Sequence, residues 1–381
     1  MKKIVALIIF VLSLAIYLFF CQKTYQNLNY FVPLANAFVH GRIDVEKVSY
    51  LNELVEHAGK WYVVYPPAPA VVLLPAVMIW GLGFNQVWAS VLLAAGAVAL
   101  FYLLAREVAK KETVALAITA LFGFGTNFFF TALVGSSWYF AHICAVFFMV
   151  LGLLLAVRKH PLLAGISFAM MFLSRLPTFL ALPVFLYFII FKNPKDKIKA
   201  TFKFLLPIVA AIAVFAFYNW ARFNTLTQTG YSLIPGVLQE PWFQKGIFSF
   251  SYIPRQLQAI FWSFPQISAH FPFFMPYRYA MALWLTTPAL LLLIFVKLKN
   301  RIVFWFLLSA LLVAIPSLVH GTVGFTQFGY RFSLDFIVLL LVPLIFVFEK
   351  MSWRIWTIFV ALSIAINLWV AILFALGIFS Y

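Results

Sequence analysis

The chain has 381 residues, 65% of them hydrophobic and only 10% charged, with a mean hydropathy of +1.02. Such a composition excludes a water-soluble domain. The net charge of +17 would suit nucleic acid, but the 27 Lys and Arg fall mainly in short segments between apolar runs. That is the positive-inside bias of a membrane protein, and no basic face with interleaved aromatics marks a nucleic-acid partner.

Apolar runs of about 17 to 25 residues match the length of a spanning helix, and lipid-exposed backbone must satisfy its own hydrogen bonds. The fold class is therefore an all-α polytopic membrane protein, a single transmembrane domain over residues 1–381. The first span runs from Ile4 to Cys21, behind cytoplasmic Lys2 and Lys3. No small-residue cleavage site follows it, so it reads as an uncleaved signal-anchor. Residues 22–67 form a first outer loop. Within it Tyr30 to Val39 suits a short interfacial helix, and Val45 to His57 reads as a second amphipathic helix ended by Gly59.

The run from Pro67 to Gly83 is expected to be re-entrant or juxtamembrane. Only then do Arg106/Lys110/Lys111, Arg158/Lys159, the basic run 192–203, Lys297/Lys299/Arg301 and Lys350/Arg354 join Lys2 and Lys3 inside, 17 of 27 basic residues. Further spans follow at 87–105, 113–131, 138–157, 161–174, 177–191, 203–221, 279–296, 302–318, 332–348 and 355–377. The total is about eleven, with a second long outer loop at 222–278. Cys21 and Cys144 have no spacing pattern that would suggest a disulfide framework or a metal site.

Three stretches carry polar chemistry. The first outer loop holds Asp44, Glu46, Glu53 and Glu56, four of the ten acidic residues. A carboxylate at the membrane boundary could act as general base or hold a divalent cation that bridges phosphate. The same four could equally do no more than solvate the loop, balanced by Arg42, Lys47 and Lys60. The second outer loop sets Arg222, Glu240, Lys245, Arg255, His270 and Arg278 among aromatic side chains. Arginine forks match phosphate, whereas an interfacial aromatic belt with snorkelling cations would have the same composition. The third stretch runs from His320 to Arg331, with Asp335 four residues on. On a helix Arg331 and Asp335 would share a face and pair. Trp138 and His142 are likewise four apart, and Arg175 is a boundary charge in want of a partner.

The sequence resembles the GT-C superfamily of polyprenyl-phosphate-sugar-dependent glycosyltransferases, especially bacterial family-39-like membrane proteins. The likeness lies in Tyr30 followed by Ala35, Ala37 and Gly41, and in G-K-W-Y-x-x-Y-P-P-x-P from Gly59 to Pro69. It continues in the apolar helix ending at Gly81 and Gly83, in Asn219 to Asn224, in Tyr252 to Arg255, and in G-x-x-x-x-G-Y-R from Gly324 to Arg331, extending to Asp335. The resemblance implies inverting transfer of a sugar from a polyprenyl phosphate to a glycan, lipid or protein acceptor at the outer face of the cell envelope. It implies an acidic first-loop residue serving as base or binding a divalent cation, one of Asp44, Glu46, Glu53 or Glu56. Lys60, Arg255 and Arg331 would hold the donor phosphate, with Tyr65, His142 and Asp335 in support.

The chain departs from the family pattern twice. Gln26-Asn27-Leu28-Asn29 stands where an acidic pair is usual, and Gly135-Ser136-Ser137-Trp138 where an Asp often lies. Two other readings therefore stay open: a lipid-linked substrate transporter or flippase, and a noncatalytic scaffold of the same fold.

Overall fold

Where apolar sequence runs uninterrupted it forms long helices, and where proline or glycine intervenes the helices stop. The computed structural model describes residues 2–21, 28–192 and 195–379; Gln26 and Asn27 lie outside the described residues. The helices of the first half are α1 (Lys2–Phe20), α2 (Phe31–Val39), α3 (Ala68–Trp80), α4 (Gln86–Val108), α5 (Glu112–Phe124), α6 (Phe128–Val134), α7 (Ser137–Val157) and α8 (Pro161–Phe172). Those of the second half are α9 (Leu182–Lys192), α10 (Lys197–Phe223), α11 (Ile253–Phe261), α12 (Leu283–Thr286), α13 (Arg301–Leu318), α14 (Ile337–Phe348) and α15 (Trp353–Ala375).

Six of these, α1, α4, α7, α10, α13 and α15, are long and apolar enough to cross a membrane; α5 and α6, bent by 45°, would together make a seventh. The other runs expected to span carry shorter helices. At 279–296, α12 gives way at Thr287 to a 3-10 segment, Pro288–Phe295, because proline lacks an N–H and disfavours helix in the residue before it. Pro177 likewise opens a 3-10 segment, Leu176–Ala181, ahead of α9. With 13 residues, α3 is about 20 Å long, short of the roughly 30 Å of hydrocarbon.

α7 is the central post. It packs against both α4 and α8, with α1 beyond α4 and α10 beyond α8. Its apolar window is 78% buried against 17% for α1, as expected of a helix that is apolar all round. Gly135 makes the turn into it. At φ +55° it ends α6 in the left-handed region, and a Cβ there would stand 2.7 Å from Ser90 Cβ. Gln86 Nε2 donates to the Gly135 carbonyl at 2.8 Å, which fixes the turn against α4.

The outer layer corrects one expectation. Residues 45–57 are not an amphipathic helix. Leu54–His57 (β1) pairs antiparallel with Lys60–Val63 (β2), His57 opposite Lys60 and Leu54 opposite Val63. Ala58 and Gly59 both take positive φ, 51° and 74°, which is what a two-residue hairpin needs to match strand twist. The hairpin is pinned to α10 by Arg222, buried at its last turn. Arg222 donates to the Val63 carbonyl at 2.5 Å and to Asn219 Oδ1 at 2.8 Å, and stacks 3.9 Å from the Tyr218 ring centroid. α2 lies where the sequence placed it and packs on α3, whose first N–H, that of Ala68, donates to the Leu173 carbonyl at 3.1 Å. The second outer loop, 222–278, contains short 3-10 turns, α11, and a two-residue strand pair, Gln266–Ile267 (β3) with Phe274–Met275 (β4).

Candidate active site

One end of the bundle gathers the start of α7, the end of α8, the segment before α3 and the segment before α14. The segment before α14, Arg331–Asp335, is a 3-10 turn. With three residues per turn, positions four apart do not share a face, and the expected Arg331–Asp335 pair does not form. Asp335 instead takes Arg175 as a fork, Oδ1 to Nε at 3.1 Å and Oδ2 to Nη2 at 2.8 Å. His142 Nδ1, from one turn into α7, stands 3.0 Å from the same Oδ1. Asp335 is fully buried while the Arg175 side chain keeps 21% exposure, so the carboxylate anchors a guanidinium that still faces outward. This supplies the partner that Arg175 lacked in the sequence.

Asp335→Asn is expected to destabilise the fold by about 3–5 kcal/mol, the range for removing one member of a buried ion pair. Thermal unfolding in detergent measures it, and a shift no larger than that of a surface variant would contradict the anchor.

Arg331 is the opposite case. It is 6% exposed, yet among the described residues its side chain makes no hydrogen bond and no ion pair, and Nε and Nη1 are buried without a partner. Three rings lie around it: Tyr139 at 4.7 Å, Trp138 at 5.5 Å and Phe332 at 5.9 Å from the guanidinium carbon. Arg175 lies 5.7 Å from the same Phe332 ring, so two guanidinium groups flank one phenyl ring and only one of them has a carboxylate. A buried charge with no hydrogen-bonded counter-charge is costly, and an anion from outside the chain would offset that cost.

Glu53 faces this pair. Residue 53 begins the turn into β1, and its backbone N–H donates to Tyr30 Oη at 2.9 Å, while Tyr30 donates to Asn52 Oδ1 at 3.0 Å. The carboxylate accepts the Trp138 indole N–H at 3.0 Å, and Tyr65 Oη accepts from the same indole. Burial pushes the Glu53 carboxyl up to about 7, resisted by the Trp138 hydrogen bond and by Arg331 and reinforced by Glu240. Burial also raises the Tyr231 phenol, with Glu53 and Glu240 adding to the rise and Arg175 and Arg331 opposing it. Tyr231 therefore lies in the field of the same four charges. His320, boxed by Tyr231, Phe243, Phe248 and Phe332 at 5.5–6.0 Å between ring centroids, is pushed down to about 4 by burial and is neutral at pH 7.

Of the residues singled out in sequence, Glu53, Tyr65, Arg331, His142 and Asp335 come together here. Asp44 does not: it pairs with Arg42 at 3.7 Å and Lys60 at 3.9 Å, and the Lys60 side chain is 60% exposed. Glu46 and Glu56 are exposed. Arg255 is turned to backbone carbonyls of Trp242 and Gly321. Arg175, Tyr30, Tyr231 and Glu240 join the site without having been proposed for it. Among the described residues no three His, Cys, Asp or Glu side chains converge as a metal would require. Asp335 is taken by Arg175, and Glu240 accepts the Trp242 indole N–H at 2.7 Å. The residues present thus do not fit the divalent cation that the resemblance admits.

No family model and no curated protein matches the chain. Among solved structures, the whole chain superposes on 56% of the length of the archaeal oligosaccharyltransferase AglB from Archaeoglobus fulgidus, solved with an inhibitory peptide and a dolichol-phosphate. The TM-score is 0.52 and the identity 14%. The chain therefore shares the overall fold of that part of AglB, with six helices among the described residues long and apolar enough to cross a membrane, and spans about half of that protein's length. At 14% identity the likeness is one of fold and does not support the family-39 assignment.

Proposed function

We propose that the chain is a membrane glycosyltransferase that moves a sugar from a polyprenyl phosphate to an acceptor hydroxyl at the outer face, with Glu53 as base and Arg331 and Arg175 as the phosphate clamp. The observation that carries this reading is the buried, unpartnered guanidinium of Arg331 next to a carboxyl whose proton leaves near neutral pH. The dolichol-phosphate and peptide bound to AglB support a lipid phosphate and an acceptor as the two kinds of partner. The long loops face outward in this reading, and the shorter helices complete the roughly eleven passes expected from the apolar runs.

In the reaction the acceptor oxygen attacks the sugar C1 as its proton passes to Glu53. The bond from C1 to the phosphate oxygen breaks, and its electron pair leaves with the polyprenyl phosphate. Trp138, whose indole also meets Tyr65 Oη, holds the carboxylate in place. The charge that grows on the leaving phosphate meets two guanidinium groups in a water-poor site, where such stabilisation is strongest. No step needs a metal.

The test is reconstitution with a mixed pool of labelled polyprenyl-phosphate sugars and membrane-derived acceptors. Labelled product with the sugar anomer inverted is expected. Label that crosses the bilayer without transfer would replace the reading with a transporter, and binding without either outcome would leave a scaffold.

A further inference from the structure

Arg255 lines an open cavity of about 260 Å³ in the second outer loop, together with Pro241, Gln244, Lys245, Ser251 and Tyr252. Two of the six side chains are cationic, three more can donate hydrogen bonds, and none is a carboxylate. Arg255 is only partly engaged: Nη2 donates to the Trp242 carbonyl at 3.1 Å and to that of Gly321, while Nε is buried without a partner. Its guanidinium lies 4.9 Å from the Tyr252 ring centroid.

The walls are cross-linked. Tyr252 Oη accepts the Lys245 N–H at 2.8 Å and donates to the Gly246 carbonyl at 2.9 Å, which fixes the backbone that carries Lys245. Gly321, whose carbonyl accepts from Arg255, packs so closely that a Cβ would stand 2.8 Å from the Trp242 carbonyl and collide with the Phe243 ring. Only glycine permits that approach. Beside the cavity, the Trp242 indole N–H donates to Glu240 Oε2 at 2.7 Å, and Phe248 forms an antiparallel bridge with His320; none of Glu53, Arg175 and Arg331 lines the cavity.

We propose that this cavity is a second anion subsite, which takes a phosphate group of the acceptor while the Arg175–Arg331 pair takes that of the donor. The assignment to the acceptor rests on the transferase reading; the anion site itself does not. The site is built from the outer loop, is open to water, and joins a planar fork to a point charge, the pairing that suits a phosphate monoester or diester. Such a group could come from a phosphorylated glycan or from a phospholipid headgroup.

The experiment titrates the purified full chain in micelles with glycerol phosphate and follows thermal unfolding, for wild type, Lys245→Ser, Arg331→Met and the double variant. Ligand that binds only the folded state raises its stability, so two sites predict two additive contributions. The double variant should bind the component that Arg331→Met retains roughly tenfold more weakly than Arg331→Met does, the loss of one charge-assisted bond. Stabilisation abolished by Arg331→Met and untouched by Lys245→Ser would mean a single site and overturn the proposal. Nanodiscs distinguish the sources. A Lys245-dependent stabilisation by phosphatidylglycerol over phosphatidylcholine assigns a lipid headgroup, whereas dependence on glycerol phosphate in phosphatidylcholine alone assigns a water-borne phosphate. Because the readout is unfolding, absence of sugar transfer would sink the transferase reading and leave this result standing.

Discussion

Replacing Glu53 by Gln is expected to lower sugar transfer by about 10²–10⁴-fold, the usual contribution of a positioned general base, with the fold retained. Glutamine keeps an oxygen for the Trp138 indole, so the variant removes the proton acceptor and little else. Asp44→Asn, Glu46→Gln and Glu56→Gln should each transfer within a few-fold of wild type, because Asp44 is tied into an exposed ion pair and the other two face solvent. The pH profile separates a base from a structural acid. As base Glu53 must be ionised, so kcat/KM should climb as pH rises through about 7 and level off above it.

Stability should move the other way. A carboxyl raised from 4.5 to about 7 binds more protons folded than unfolded between those values, so the native state loses stability as pH rises across that window. Glu53→Gln removes the loss and should gain on wild type above pH 7. Transfer by Glu53→Gln at the wild-type rate, or a profile flat through pH 7, would remove Glu53 from the mechanism.

The sequence made the membrane class and the long helices legible because apolar length is a direct consequence of bilayer thickness. It also showed the candidate carboxylates as a group, but not which one is drawn into the bundle's end as a half-buried side chain. That choice depends on Tyr30, Tyr65 and Trp138 arriving from three separate elements. The hairpin at 54–63 was hidden by a run, Leu-Val-Glu-His, that suits either period over four residues; the Ala58–Gly59 turn was the available signal. Arg175 could be recognised as a boundary charge, but its partner lies 160 residues away and no local spacing points to it. The Arg331–Asp335 pairing failed for the converse reason. Spacing of four implies a shared face only if the helix is α, and here the turn is 3-10.

Arg331→Met is expected to hold or raise the thermal stability of the ligand-free protein while weakening donor binding. Methionine is apolar and of comparable reach, so it can keep contact with Tyr139, Trp138 and Phe332. It also removes a buried charge that has no hydrogen-bonded counter-charge among the described residues and that Glu53 offsets only through its field. The cation–π contacts it forfeits are worth about 0.5–2 kcal/mol, less than the several kcal/mol typical of an unpaired buried ion. On the functional side, losing a charge-assisted bond to the donor phosphate should cost about 1.5–3 kcal/mol, roughly 10- to 150-fold in donor affinity. Under subsaturating donor, transfer should fall by that factor. Arg331→Lys should recover part of it, since an ammonium supplies the charge but not the planar fork. Asp335→Asn is the contrast: it loses stability first, and activity through the freed Arg175. A residue kept for folding would behave like Asp335, losing stability on substitution with donor affinity unchanged. If Arg331→Met did so, the anion site would have to move to Arg175 alone. Stability held and donor affinity lost would identify Arg331 as a charge that the fold leaves without a hydrogen-bonded counter-charge until the lipid phosphate arrives.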